Sequence, residues 1–262
     1  MTTPSLCCLL VSLWLGLGPA PPLSAPPAPP AARRAVGDDA PSVLHGGRKG
    51  ARALVVLLHG GSFKGTSAEE LARRSLGEVS ADARREGLAL LVPVAPAGCT
   101  SSTPFLEPAG EAAMLAALDA ELARRTLDPG RVTLAGFGSG GAAALVLAAR
   151  HSARFAAVAV WSASPPPLWE AQPAGGRRVV GLAPDPVPGL SGVPVYLFSA
   201  DDDRILDRDC LAFFVGAMSA ASARDPAWQL RWERGHGGHG FGDDGPRAGL
   251  HFLAGHRQRE RP

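Results

Sequence analysis

Strand-length apolar runs alternate along this chain with segments of helical period, and that alternation constrains its fold more than any other feature. Residues 53–58 read ALVVLL, with no polar side chain on either face. A strand without polar alternates is buried on both sides, as in a parallel sheet covered above and below by helices. Further strand-length runs follow at 88–94 (LALLVPV), 131–135 (RVTLA), 156–161 (AAVAVW), 193–199 (VPVYLFS) and, more briefly, 228–234. The intervening segments have helical spacing. In 67–86, Leu71, Leu76, Val79 and Ala83 share a face, with Ser67 as N-cap and Glu70 completing a capping box. In 109–126, Met114, Leu115, Leu118 and Leu122 line up. Residues 140–150 (GGAAALVLAAR) are apolar nearly all round, which demands burial. Helical patterns also cover 206–223 and 246–255. The expected class is therefore α/β: a mostly parallel, twisted sheet of about six or more strands with helices on both faces.

The 262 residues suffice for one large domain with a full core, and 46% hydrophobic against 19% charged residues is a globular composition. The formal net charge of +2 and the scattered pairs Arg33–Arg34, Arg73–Arg74 and Arg177–Arg178 argue against a nucleic-acid partner. Residues 6–17 form an apolar run too short to span a bilayer and suited to the core of a signal peptide. No Lys or Arg precedes it, and the small residues Ala20 and Ala25 are each followed by proline. Residues 1–25 are read as a signal peptide or hydrophobic leader, giving a secreted or periplasmic protein, or a membrane-anchored one if the leader is not cleaved. Residues 26–48 read as a Pro/Ala-rich linker, 49–257 as the folded domain and 258–262 as a polar tail. Outside the leader stand Cys99 and Cys210, which either pair or remain free thiols. No Cys/His cluster has metal-ligand spacing, so neither metal nor cofactor is expected. The Pro/Gly-rich stretch 162–192 reads as a substrate lid or a surface loop.

In parallel sheets ligands bind at the carboxyl ends of the strands, and four strand ends carry informative clusters. After 53–58 comes His59-Gly60-Gly61-Ser62, a turn able to aim backbone N–H groups at one point. After 131–135 comes Gly136-Phe137-Gly138-Ser139-Gly140-Gly141. This strand–turn–helix unit resembles the nucleophile elbow of the α/β-hydrolase superfamily, written G-x-S-x-G. Glycines are needed two residues before and after the nucleophile because backbone presses on backbone there. Gly136 and Gly140 meet that need with Gly138 at the nucleophile position. Centring the turn on Ser139 instead would put Phe137 at a crowded flank. After 193–199 comes Ala200-Asp201-Asp202-Asp203-Arg204-Ile205, where the superfamily's G-x-x-D-x-x-V stretch aligns Asp202 with the orienting carboxylate. After 228–234, Gly235-His236-Gly237-Gly238-His239-Gly240-Phe241 is similar to the Gly-x-His-Gly-Phe stretch of phospholipase/carboxylesterase and polyhydroxybutyrate-depolymerase or feruloyl-esterase types. His239 is the better match and His236 the alternative.

The resemblance covers residues from about Ala53 to Gly255, in the superfamily order nucleophile, acid, base. It implies an α/β-hydrolase fold and a carboxylic-ester hydrolase. Ser139, Asp202 and His239 would form the catalytic set, and Gly61 with the Ser139 amide the oxyanion site. The substrate would be a small-molecule or polymer ester. The departure is glycine where the nucleophilic serine belongs, which leaves a second expectation: a non-catalytic binding or scaffold protein that keeps the pocket.

Overall fold

The computed structural model describes residues 43–60, 65–99, 101–171 and 177–258. The expected leader, the linker up to residue 42, Gly61 of the expected oxyanion pair and residues 259–262 of the tail lie outside the described residues. The elements in chain order are β1 (Val43–Gly47), β2 (Ala53–Leu58), α1 (Ala68–Arg85), β3 (Leu88–Pro93), α2 (Pro108–Arg124), β4 (Val132–Phe137), α3 (Ser139–Arg150), β5 (Val158–Trp161), β6 (Pro167–Ala171), β7 (Arg177–Leu182), β8 (Val195–Ala200), α4 (Arg208–Ser222), β9 (Leu230–Gly235) and α5 (Arg247–Ala254).

Seven strands form one sheet in the order β1-β3-β2-β4-β5-β8-β9. Every neighbouring pair is parallel except β1 on β3, which is antiparallel. The two-residue period of a strand sends alternate side chains to opposite faces, and here both faces are covered. Leu54, Val56 and Leu58 join α2, α3 and α4 in one core, through Met114, Leu118, Leu145, Leu147 and Phe214. Ala53, Val55 and Leu57 join α1 and α5 in the other, through Ala72, Val79, Leu250 and Leu253. Strand β2 is buried at all six residues, as its unbroken apolar run requires.

Two parts of the chain differ from the sequence expectation. Residues 43–47, read as the end of a linker, form the antiparallel edge strand. VLHGG is short and carries neither a clean alternation nor an apolar run, so its strand character comes from pairing with β3. The 162–192 segment, read as a lid or loop, contains the antiparallel hairpin β6–β7 as a separate two-stranded sheet. Cys99 and Cys210 are both free thiols, and the Cys210 sulfur contacts the Pro165 carbonyl oxygen at 2.7 Å in the buried interior.

The sheet order places a topological switch at β2 and β4. The chain leaves β2 toward β3 on one side and returns through β4 on the other, so the connections diverge and a crevice opens at the carboxyl ends of those two strands. Helix α5 closes the opposite core by lying on Trp161 and Tyr196. A Cβ at Gly249 would stand 2.4 Å from Trp161 Cζ2 and 2.9 Å from Tyr196 Cε1. Alanine gains about 1 kcal/mol over glycine in helix propensity, but overpacking a rigid aromatic contact costs about 1–3 kcal/mol. The contact should win: Gly249→Ala is expected to lower the urea midpoint at unchanged m-value, and an unchanged or raised midpoint would show that α5 is loosely seated.

Candidate functional site

The bend between β4 and α3 is built from close backbone approach. A Cβ at Gly136 would lie 2.3 Å from Gly140 O, and one at Gly140 would lie 2.3 Å from Leu58 O and 2.5 Å from His59 O. Neither position admits a side chain. The central residue, Gly138, has φ +54° and ψ −124° and is the N-cap residue of α3. Its N–H donates to Trp161 O at 3.0 Å, and its carbonyl accepts from Ala142 N at 3.0 Å. A non-glycine residue held in such a conformation costs about 1–3 kcal/mol, whereas glycine takes it with little steric penalty. An ideal Cβ at Gly138 points at Nε2 of His239, 3.3 Å away. Ser139 projects elsewhere: its Oγ is 3.5 Å from the ideal Cβ position of Gly60, on the β2 side of the bend. Phe137 is not at a crowded backbone crossing; its ring packs edge-on against His239 and beside Phe241, at centroid distances of 4.9 and 5.1 Å.

His239, in the loop after β9, is mostly buried. Its Nδ1 is 2.9 Å from Oδ2 of Asp203. The carboxylate expected at this place was Asp202; the structure puts its neighbour there. The three consecutive acids leave the end of β8 in three directions. Asp201 is exposed and takes both Nε and Nη2 of Arg234, at 2.9 and 2.7 Å. Asp202, also exposed, accepts the Gly238 N–H at 3.0 Å. Asp203 is buried, and its Oδ1 accepts the N–H groups of Ile205 and Leu206 at 2.8 and 3.0 Å while Oδ2 meets the imidazole. Burial alone would raise the Asp203 pKa. The two amides and His239 outweigh it and hold the carboxyl below its ordinary value. The G-x-x-D-x-x-V spacing fits Ser199–Asp202–Ile205 and, one residue on, Ala200–Asp203–Leu206 equally well. Nothing local distinguishes the two registers: an aspartate can accept amides two and three residues on in either, and Asp203 takes those of Ile205 and Leu206.

Two further residues, neither assigned a role from sequence, hold the surrounding loops. Ser162, at the end of β5, has φ +47°, the one positive φ among described non-glycine residues. It is buried, and its Oγ donates to Gly240 O at 2.9 Å, next to His239. His59 is buried beneath the β2 turn. Its Nε2 accepts the Ala95 N–H at 3.1 Å, which fixes Nδ1 as the donor to Gly60 O at 2.7 Å. Burial pushes its pKa down, against the opposing pull of the Gly60 carbonyl, so the ring is neutral and ties the end of β2 to the end of β3. His236, the alternative imidazole, is exposed and lies outside the cleft lining.

The cleft has a volume of about 710 Å³ and is mainly apolar. Gly138, Ser139 and His239 line it together with Pro165, Pro166 and Pro167 and the rings of Phe137 and Phe241. The hairpin segment thus contributes to the pocket through its first residues. Around the point where the Gly138 Cβ would sit, the site gathers an imidazole, a buried carboxylate behind it and the N-terminus of a buried helix. This set can move a proton and stabilise a developing negative charge. Glycine supplies no side-chain oxygen at the position facing the imidazole.

No family model matches the chain. NocK from Nocardia uniformis subsp. tsuyamanensis, provisionally named an esterase, is 38% identical over 153 residues, a match covering 55% of this chain and 44% of NocK. The chain therefore matches less than half the length of that relative. Solved structures similar to this one include TT1662 from Thermus thermophilus, with TM-score 0.57 and 22% identity over 81% of this chain and 92% of that one. A ferulic acid esterase superposes with TM-score 0.56 and 21% identity, over 79% of this chain and 86% of its own. FphF, a fluorophosphonate-binding serine hydrolase of Staphylococcus aureus, gives 0.54 and 18%, over 84% and 87%. The likeness is one of fold: this chain has the α/β-hydrolase fold.

The Asp203 carboxyl is lowered in the folded state, so its contribution to stability is present in full above the ordinary aspartate range, near about pH 4, and is lost as pH falls through the folded value. Asp203→Asn is therefore expected to cost about 1–3 kcal/mol at neutral pH and to flatten the acid limb of a urea-midpoint profile. Asp202 is also held below its ordinary value, by the Gly238 amide, but it is solvent-exposed, so Asp202→Asn should flatten the profile less than Asp203→Asn. Equal effects of the two would mean that the buried pairing with His239 carries no special weight.

Proposed function

We propose that this protein is an esterase-type hydrolase by descent, whose cleft receives the acyl carbonyl of a carboxylic ester but whose nucleophile position is occupied by Gly138. The observation that carries the reading is the direction of the Gly138 Cβ, aimed at His239 Nε2 from 3.3 Å. In a serine hydrolase the attacking hydroxyl stands there, within hydrogen-bond reach of the base. Asp203 acts as the positioning residue, holding the imidazole through Nδ1 so that Nε2 faces the cleft. The Ser139 amide, at the start of α3, is the oxyanion donor, with Gly61 as its expected partner. The partial likeness to NocK and the fold shared with a ferulic acid esterase and a serine hydrolase support the ester class. A small-molecule or polymer ester is the partner that fits a largely apolar cleft.

Ser139 is a poor substitute nucleophile. Its hydroxyl lies 3.5 Å from the ideal Cβ position of Gly60, whereas the position facing His239 Nε2 is that of the Gly138 Cβ. A displacement of even about 1 Å from attack geometry can cost about a hundredfold in rate. A serine acyl-enzyme is therefore absent from this reading, and the second function, a binding protein that keeps the cleft, follows from the same geometry.

Fluorophosphonate labelling with mass-spectrometric site mapping tests the proposal. The parent protein is expected to take no label. Gly138→Ser should be labelled at position 138 and should raise turnover of p-nitrophenyl acetate by about a hundredfold or more. It should also lose about 1–3 kcal/mol of stability, because φ +54° strains a side chain and the His239 ring must yield by a few tenths of an ångström. A label on Ser139 of the parent would refute the assignment of Gly138.

We also propose export, on the apolar run at 6–17. Expression with the native N-terminus should give a cell-free product whose mature N-terminus falls close to residue 25. Retention of the full-length chain in membranes would replace that with the anchored alternative.

A further inference from the structure

We propose that a water molecule serves in place of a serine at Gly138 and that the site hydrolyses short esters with good leaving groups in one covalent stage, His239 being the base. The inference rests on the site reading above and goes beyond it in assigning an activity to the glycine-bearing site itself.

Three observations carry it. The first is geometric. The ideal Cβ of Gly138 lies 3.3 Å from Nε2 of His239 and points into an open cleft of about 710 Å³. A hydroxymethyl group is close in size to a water molecule, whose share of liquid volume is about 30 Å³. A water standing there is within hydrogen-bond reach of the imidazole and on the substrate side of it.

The second is that the base is assembled without help from a serine. Asp203 has its own two amide donors besides His239. The loop carrying His239 is fastened at Gly238 by Asp202 and at Gly240 by Ser162. Ser162 makes its bond from a positive φ, a conformation that is costly for serine. The Phe137 ring supports the imidazole edge-on. Orientation of Nε2 toward the cleft is therefore set by groups behind the histidine, not by a partner in front of it.

The third is that α3 still presents its N-terminus to the cleft. The N–H groups of an α-helix's first turn have no intrahelical acceptor, and the largely buried, 12-residue α3 begins at Ser139 in the cleft lining. A helix start aimed at the reacting carbonyl favours the oxyanion over the ground-state ester.

The reaction balances without any further reactant. Nε2 of His239 takes a proton from the water as its oxygen bonds to the ester carbonyl carbon. The carbonyl π pair moves to oxygen and is held at the start of α3. Collapse of this tetrahedral intermediate restores the C=O, breaks the bond to the leaving oxygen, and returns the proton from Nε2–H to that oxygen. The products are the carboxylic acid and the alcohol. Water is a weaker nucleophile than an activated serine hydroxyl, so esters of phenols are the substrates that fit. General-base assistance typically contributes about 10²–10⁴-fold, which sets the expected rate above buffer.

The test compares the full-length parent, His239→Gln and Gly138→Ser on a series of aryl acetates of graded leaving-group acidity, with intact-mass analysis during turnover. The parent is expected to exceed buffer hydrolysis by about 10²-fold or more, to lose that excess in His239→Gln, and to show no acetylated protein. Its kcat should follow the acidity of the leaving phenol, because departure and water attack belong to one stage. Gly138→Ser should instead show a burst, an acetyl adduct at position 138 and convergence of kcat across the series, the mark of a shared deacylation step. A parent at the buffer rate beside a folded, active Gly138→Ser would overturn the water route and leave the site reading intact. If both proteins fold and neither hydrolyses, the site reading falls with it. An acetyl adduct on Ser139 of the parent, or activity undiminished in His239→Gln, would overturn the proposal directly. Should Gly138→Ser not fold, His239→Gln and the leaving-group series on the parent decide the matter.

Discussion

The functional edge of this protein depends on one backbone-on-backbone contact, where the end of β4 meets the start of α3. Gly136 lies against the carbonyl of Gly140, and Gly140 lies against the carbonyls of Leu58 and His59, closer than any Cβ permits. That crossing forces the chain to reverse through a single residue at φ +54°. It also sets the N-terminus of a helix buried from Gly140 to Ala148 beside the carboxyl end of β2. From this bend the rest of the cleft takes its coordinates: the His59 brace on one side, the Ser162 brace on the other, and the imidazole opposite Gly138.

The second constraint is electrostatic. A carboxylate as buried as Asp203 would be protonated or expelled unless its lone pairs were occupied. Two amides from the turn that follows it and the imidazole of His239 occupy them. The dyad is therefore self-sufficient, since nothing in its hydrogen-bonding requires a hydroxyl at position 138. The imidazole and the start of α3 are thus held in register with Gly138 at the centre of the bend. Glycine suits the bend itself, because φ +54° carries no side-chain penalty there.

Much of this was legible in the sequence. Uninterrupted apolar runs such as 53–58 announce strands buried on both faces, and the apolar 140–150 segment announces a helix packed on all sides. The Gly136–Gly138–Gly140 spacing announces the bend and its register, and the Gly-flanked His239 its position after the last strand. The edge strand β1 was not legible, since VLHGG becomes a strand through β3, which lies more than forty residues along the chain at Leu88–Pro93. The β6–β7 hairpin was hidden for a different reason: its strands are near neighbours in sequence, but the prolines and glycines of the stretch suggested a loop.

Sequence alone determined the helices and the buried parallel strands, the order in which chemistry-bearing residues reach the carboxyl edge, and the absence of a hydroxyl at the centre of the bend. These follow from local properties: side-chain period, glycine where backbones must touch, and the residue type at one position. Which of three adjacent aspartates faces His239 was left to the tertiary structure. Asp201, Asp202 and Asp203 are chemically identical and differ only in what surrounds them: Arg234, the Gly238 amide, or a buried imidazole with two amides. Those surroundings come from β9, its loop and the turn beyond β8, and a carboxylate acquires its role from the donors that meet it in space.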